Sequence, residues 1–279
     1  MARELLDENT ARTKRASATR TRRGAGRPSF TALLPPVIAA LVAITAWETA
    51  VRVSAVPDYI VPAPSAIALA LIAHPSRFAS AGLQSLLEAV GGLTVGAGAA
   101  FALAVVMAHS RALERALYPL ALLVKVTPVI AVAPLLIIWF GFGATPKVLI
   151  AALITFFPML VNAVTGLRSV PASTLGVFRS LDASPVQTFW HLRVPSSLPY
   201  VVAALKISIP LSLIGAVVAE WMSGDGGIGL IILIANSDFD TASLFAAVVV
   251  LAVIAVTLTA LVSFIERRVL WWHESADIS

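Results

Sequence analysis

Six apolar blocks run along this chain, at residues 30–51, 85–108, 116–140, 147–167, 198–222 and 244–265. Each is about the length a helix needs to cross the hydrocarbon core, roughly 20 residues. Inside lipid only helices and closed barrels satisfy the backbone. Barrel strands would read as alternating segments of about 10 residues, whereas these blocks are continuous. The pattern therefore predicts an all-α integral membrane protein with six transmembrane helices. A Pro-rich link carrying Pro57, Pro62, Pro64 and Pro75 joins the first two spans. Pro119, Pro128 and Pro134 interrupt the third. Gly92 and Gly96 form a small-xxx-small pair in the second, which lets helices approach closely.

Composition sharpens this picture. Apolar residues make up 58% of the chain and charged residues 13%, with a mean hydropathy of +0.90. A water-soluble domain of this length cannot hide that much apolar surface. The chain has no cysteine, which removes disulfides, thiolate chemistry and Cys-based zinc sites.

Residues 1–29 form a basic tail, Arg/Thr/Ala-rich and nearly free of large apolar residues, so it is expected to be disordered and cytoplasmic. It lacks the short apolar stretch and small-residue cleavage site of a signal peptide. A nucleic-acid role is not expected of it. The membrane domain covers 30–273, and 274–279 is a short C-terminal tail. With the N-terminal tail inside, Arg111, Arg115, Arg168, Arg179, Arg193, Arg267 and Arg268 all fall on the inner side. Asp58, Asp225, Asp238 and Asp240 fall outside, with Arg77 and Lys147 nearby. This charge bias predicts an even number of spans with both termini cytoplasmic.

The longest inner loop, 168–199, reads RSVPASTLGVFRSLDASPVQTFWHLRVPSSLP. Residues 172–181 can form a short helix with Leu175, Phe178 and Leu181 on one face. Asp182 to Pro185 reads as a turn. Residues 186–192 form a second amphipathic helix with Phe189 and Trp190, ended by Pro195 and Pro199. Such a knob suits either a groove on a soluble partner or the lipid surface.

This loop resembles the EAA loop of ABC importer permeases, a pattern of Glu-Ala-Ala, three residues, Gly, nine residues, Ile, one residue and Leu-Pro. Gly176, Val177 and Phe178 stand at the Glu-Ala-Ala positions and Asp182 at the Gly. Leu192, Arg193, Val194 and Pro195 form the end. Spacing is kept while the Glu and Gly identities are not. Residues 47–67, 131–170 and 217–250, with the Glu266-Arg267-Arg268 run ahead of Trp271, resemble the nitrate/sulfonate/taurine type of permease. They look closest to permeases for thiamine-precursor pyrimidines or riboflavin-like compounds. The likeness covers about 45–273.

The resemblance implies a type I importer permease that forms a homodimer, pairs with two ABC ATPase subunits and receives solute from a substrate-binding protein. The EAA loop would be the coupling helix, with Gly176, Val177, Phe178, Leu181, Asp182, Ala183, Ser184 and Pro195 at the ATPase contact. ATP and Mg would bind the partner ATPase, leaving this chain without cofactor, metal or catalytic residues. Sulfonates, taurine and nitrate are the other solutes the resemblance implies.

Several motifs read otherwise. Gly224 to Gly229 satisfies G-x-G-x-x-G but lies between spans, so a tight external turn is expected rather than a dinucleotide site. The stretch from Gly141 to Lys147 lacks the Gly-Lys-Ser/Thr end of a P-loop, and His273-Glu274 has no second His one turn on. Glu48 and Glu220 lie near outer helix ends, where either can reach the interface. Intramembrane charges are functional candidates, which makes Glu220, Lys125 and Lys206 the candidate pathway residues. A secondary transporter would show inverted repeats and midplane acids. A membrane-embedded enzyme would need a Ser/His pair, an Asp cluster or metal ligands within the spans. The sequence displays neither set.

Overall fold

A computed structural model describes residues 30–54 and 56–270. The expected tails at 1–29 and 274–279 lie outside the described residues. The described residues fall into two units that part between Ala46 and Trp47. Helix α1 (Phe30–Val53) begins in the first unit, and its last two turns open the second.

The regular elements among the described residues are all helices: α2 (Pro64–Ala73), α3 (Pro75–His109), α4 (Arg111–Val126), α5 (Val129–Phe140), α6 (Ala144–Arg168), α7 (Ala172–Ser180), α8 (Pro185–Thr188), α9 (Val194–Ser223), α10 (Gly227–Ser237) and α11 (Thr241–Val269). Five are long and apolar enough to cross a membrane, the fourth of them running unbroken from Pro185 to Ser223. A sixth span exists if α4 and α5 count together, but they meet at 92°. The third predicted span is thus a broken one. Its break sits at Thr127 and Pro128, whose ψ angles of 124° and 106° are extended. Pro128 removes an N–H and pushes Thr127 out of the helical region. Pro119 and Pro134 stay inside helices.

The core is a three-helix stack of α3, α6 and α9. Small residues make it tight, as the Gly92/Gly96 pair predicts. A Cβ on Gly96 would fall 2.4 Å from Thr155 Oγ1 and 2.6 Å from the Ala152 carbonyl. A Cβ on Gly92 would fall 2.3 Å from the Ala151 Cβ. Gly92 thus meets 148–152 and Gly96 meets 152–155, so α3 and α6 run parallel, while Gly215 of α9 meets Ala151 from the opposite direction.

Two short helices were not legible in the sequence. The Pro-rich link contains α2, where Pro64 supplies a preset first turn. Glu48 of α1 points at α2: it accepts the Ser65 N–H at 3.0 Å and the Ser65 hydroxyl at 2.8 Å, capping α2 from another helix. The glycine-rich turn at Gly224 and Gly226 is tight, as expected, and at once starts α10.

Candidate functional site

At one end of the stack, α7 and α8 form the hairpin that the loop pattern predicts. Helix α7 closes in a Schellman motif: Ala183 N–H donates to the Phe178 carbonyl at 3.0 Å, and Asp182 N–H to the Arg179 carbonyl at 3.1 Å. The motif places Asp182 in the left-handed region, with φ of 51°. This is the backbone that a glycine position calls for. Asp182 does not cap the next helix. Ser184 does, through a capping box in which its hydroxyl accepts the Gln187 N–H at 3.2 Å and its own N–H donates to Gln187 Oε1 at 2.8 Å. Two residues separate Asp182 from the first helical turn's start, so Ser184 is the residue in N-cap register.

Pro195 and Pro199 do not end α8. A π-turn at Phe189–Arg193 carries the chain straight into α9, making one helix from Pro185 to Ser223. The wider turn, in which Val194 N–H donates to the Phe189 carbonyl, makes room where Pro195 offers no N–H. The apolar residues that the hairpin exposes are Val177, Leu181, Val186 and Trp190. Leu175 and Phe178, expected on the same face as Leu181, are half-buried. Phe189 packs its ring 5.8 Å from His109 at the end of α3. Around a Cβ on Gly176 nothing lies within 4 Å. Arg168 and Arg193 donate to the Met107 and Ala108 carbonyls, at 2.8 and 3.4 Å, tying α3's C-terminus to the hairpin. Arg168 also pairs with Glu114 of α4.

The opposite end of the stack holds a buried charge node. Glu220 is fully buried; it does not reach outward. Ser85 donates to its Oε1 at 2.6 Å and the Gly229 N–H to its Oε2 at 2.7 Å. Lys147, 1% exposed, donates to Glu88 Oε1 at 3.1 Å and to the Asp225 carbonyl. Gln84 donates to Glu88 at 3.1 Å and accepts the Gly227 N–H at 3.1 Å. The Ile228 N–H donates to Ser85 at 2.9 Å. The start of α10 is therefore held by side chains of α3 and α9. Gly227 must be glycine: its φ is 76°, and a Cβ would lie 2.1 Å from the Glu220 carboxyl carbon.

Sequence reasoning placed Lys147 outside and gave Glu88 no role. The usable signal was that both sit just inside the starts of two spans entering from the same side. Opposite charges at equal depth on parallel helices are placed to pair. Of the other pathway candidates, Lys206 pairs with Glu266 of α11. Lys125 has its ammonium 4.8 Å above the Phe157 ring centre.

Comparison with known proteins places this geometry. Residues 92–271 match the family model described as binding-protein-dependent transport system inner membrane component. The chain is 37% identical to the riboflavin transport system permease protein RibX of Chloroflexus aurantiacus, over 82% of this chain and 86% of that one. It is 31% identical to the formylaminopyrimidine transport permease protein ThiX of Halalkalibacterium halodurans, over 86% and 96%. Its fold resembles a chain of the inward-facing MetNI methionine ABC transporter, with a TM-score of 0.60 at 16% identity over 69% of this chain and 96% of that one. An all-helical bundle of membrane-crossing helices, and these relatives along most of its length, make one statement: the chain belongs to the family of binding-protein-dependent transport system inner membrane components, the membrane-spanning permease subunits of ABC importers.

Proposed function

We propose that two copies of this chain form the translocation path of an importer driven by two ABC ATPase subunits, and that the α7–α8 hairpin is the ATPase contact. The observation that carries this reading is the hairpin itself: a rigid turn at Asp182 with Val177, Leu181, Val186 and Trp190 exposed around it. Apolar side chains on a short capped hairpin fit a groove on a partner. Ala183 and Ser184 form the turn, Gly176 and Phe178 the helix behind it, and Pro195 sits in the helix that carries any displacement onward.

On this reading the hairpin face and both termini are cytoplasmic, in keeping with the arginines around it. ATP and Mg bind the ATPase, and this chain supplies no cofactor site. A substrate-binding protein delivers solute to the opposite face. The solute is a small organic or anionic compound of the thiamine-precursor pyrimidine or riboflavin kind, with sulfonate, taurine or nitrate as alternatives. Glu220 serves as a packing node, while Lys125 and Lys206 remain candidates for the path.

The test is assembly with the ATPase, by native mass and by association after Leu181→Asp. Two permeases with two ATPases are expected, and Leu181→Asp should release the ATPase while the permease still inserts in the membrane. A one-to-one assembly, or an undiminished association of Leu181→Asp, overturns the reading.

A further inference from the structure

Lys125 stands apart from the other lysines of the described membrane domain, which have acid partners. Lys147 has Glu88, Lys206 has Glu266 and Arg168 has Glu114. Among the described residues no acid pairs with Lys125, which is exposed on α4 with its ammonium above the face of Phe157. Phe157 lies about 20 Å from the Ala144 end of α6 and about 17 Å from the Arg168 end, at 1.5 Å per residue. The ammonium is therefore held near mid-depth of a spanning helix. It has not reached out to a headgroup region. A ring face attracts a cation, but by less than an unpaired ammonium costs in hydrocarbon. Its surroundings must therefore be wet or supply an anion.

The neighbouring residues agree. Tyr118 and Leu122 precede Lys125 by two turns and one turn, so the three share one face of α4. Tyr118 and Leu122 are each 41% exposed, and the Tyr118 ring lies 6.3 Å from Phe157. Lys125 sits in the last turn of α4, immediately before the break at Thr127 and Pro128. Interrupted helices are tolerated at membrane depth where the break is buried in protein or lines a water-filled cavity, and Thr127 and Pro128 are exposed in this chain.

We propose that this face of α4, Tyr118, Leu122 and Lys125 against Phe157 of α6, is a solute site at mid-membrane that accepts an anionic group on the Lys125 ammonium. It rests on the permease reading and moves the solute away from the uncharged pyrimidine and riboflavin kinds, toward the alternatives that carry a negative group: sulfonate, taurine or nitrate.

The chain contains no cysteine, so a single introduced thiol reports without background from this subunit. Leu122→Cys and, as a mid-depth control on an exposed face of α11, Val256→Cys are prepared in the full chain assembled with its ATPase in proteoliposomes. Each is labelled with the anionic sulfonatoethyl and the cationic trimethylammonioethyl methanethiosulfonates, and modification is read by mass on this chain. Leu122→Cys should react at least about tenfold faster than Val256→Cys with the anionic reagent, since only a wet position forms thiolate. Adding Lys125→Gln should lower the ratio of anionic to cationic rates by about threefold or more, while Lys125→Arg keeps it. Tyr118→Cys, one turn away, gives a second reporter if Leu122→Cys fails to insert. Equal, slow labelling of the α4 thiols and Val256→Cys overturns the site. A ratio indifferent to Lys125→Gln overturns its anion preference. Failure of the permease reading would appear separately, as intact labelling in an assembly without ATP-driven uptake.

Discussion

Asp182 holds a left-handed backbone at a position where helices that close this way usually place glycine. Its carboxylate does not cap the next helix, so its value there is tolerance of positive φ. A non-glycine residue in that region costs on the order of 1 kcal/mol. Asp182→Gly should therefore keep solute-stimulated ATPase activity in the reconstituted complex and gain about 1 kcal/mol of local stability by relieving that cost. Asp182→Val should lose coupling at normal assembly, because a β-branched residue resists the conformation. Val coupling as well as Asp would show that the Schellman turn is not what positions the hairpin. Gly176 is the complementary case, a helical glycine whose Cβ would meet nothing. Gly176→Ala should raise helix stability by roughly 1 kcal/mol, measured as the thermal midpoint of the detergent-solubilised protein; a lowered midpoint would place Gly176 in contact with something. The φ at Asp182 was legible from the loop spacing. The cap was not, because Asp and Ser both cap well and only the helix register chooses between them.

At the scale of elements, the sequence showed where apolar chain enters and leaves the membrane and missed what prolines do once inside. Pro128 breaks a span by 92°, whereas Pro195 and Pro199 are absorbed in a continuous helix. The residue type is the same, and the difference is the local hydrogen-bond ladder: a π-turn precedes Pro195. If that turn exists to accommodate Pro195, deleting the exposed His191 converts it to an α-turn and brings a carbonyl against the proline ring. The deletion alone should cost about 3 kcal/mol. Combined with Pro195→Ala it should recover most of the loss, since the flanking faces keep their register. Thermal midpoints of the two variants measure this, and equal midpoints would detach the π-turn from Pro195. Helices α2 and α10 went unread because their ends are fixed by distant side chains, Glu48 for one and Gln84, Ser85 and Glu220 for the other.

For the whole molecule, the two ends of the three-helix stack are built differently. One end is an exposed hairpin; the other is a node with Lys147, Glu88 and Glu220 out of solvent. Removing one partner of a buried ion pair costs about 3–5 kcal/mol, while replacing both is far milder. Glu88→Gln and Lys147→Met should each lower stability by that order, and the double variant should be more stable than their sum. Additive losses in detergent melts would mean that the pair is not coupled. The continuous helix from Pro185 to Ser223, of which α9 is the greater part, joins these two ends without a loop, from the hairpin to Glu220 beside α10. From Val194 to Ser223 it measures about 45 Å at the usual rise. A shaft of that length has no slack to take up a displacement applied at the hairpin. What yields first are the points where a ladder bond is missing, at Pro199 and Pro210. On the proposed function, those two joints would set how much of a push at the hairpin arrives as tilt at the far end, where Glu220 ties α9 to Ser85 of α3 and to Gly229 of α10.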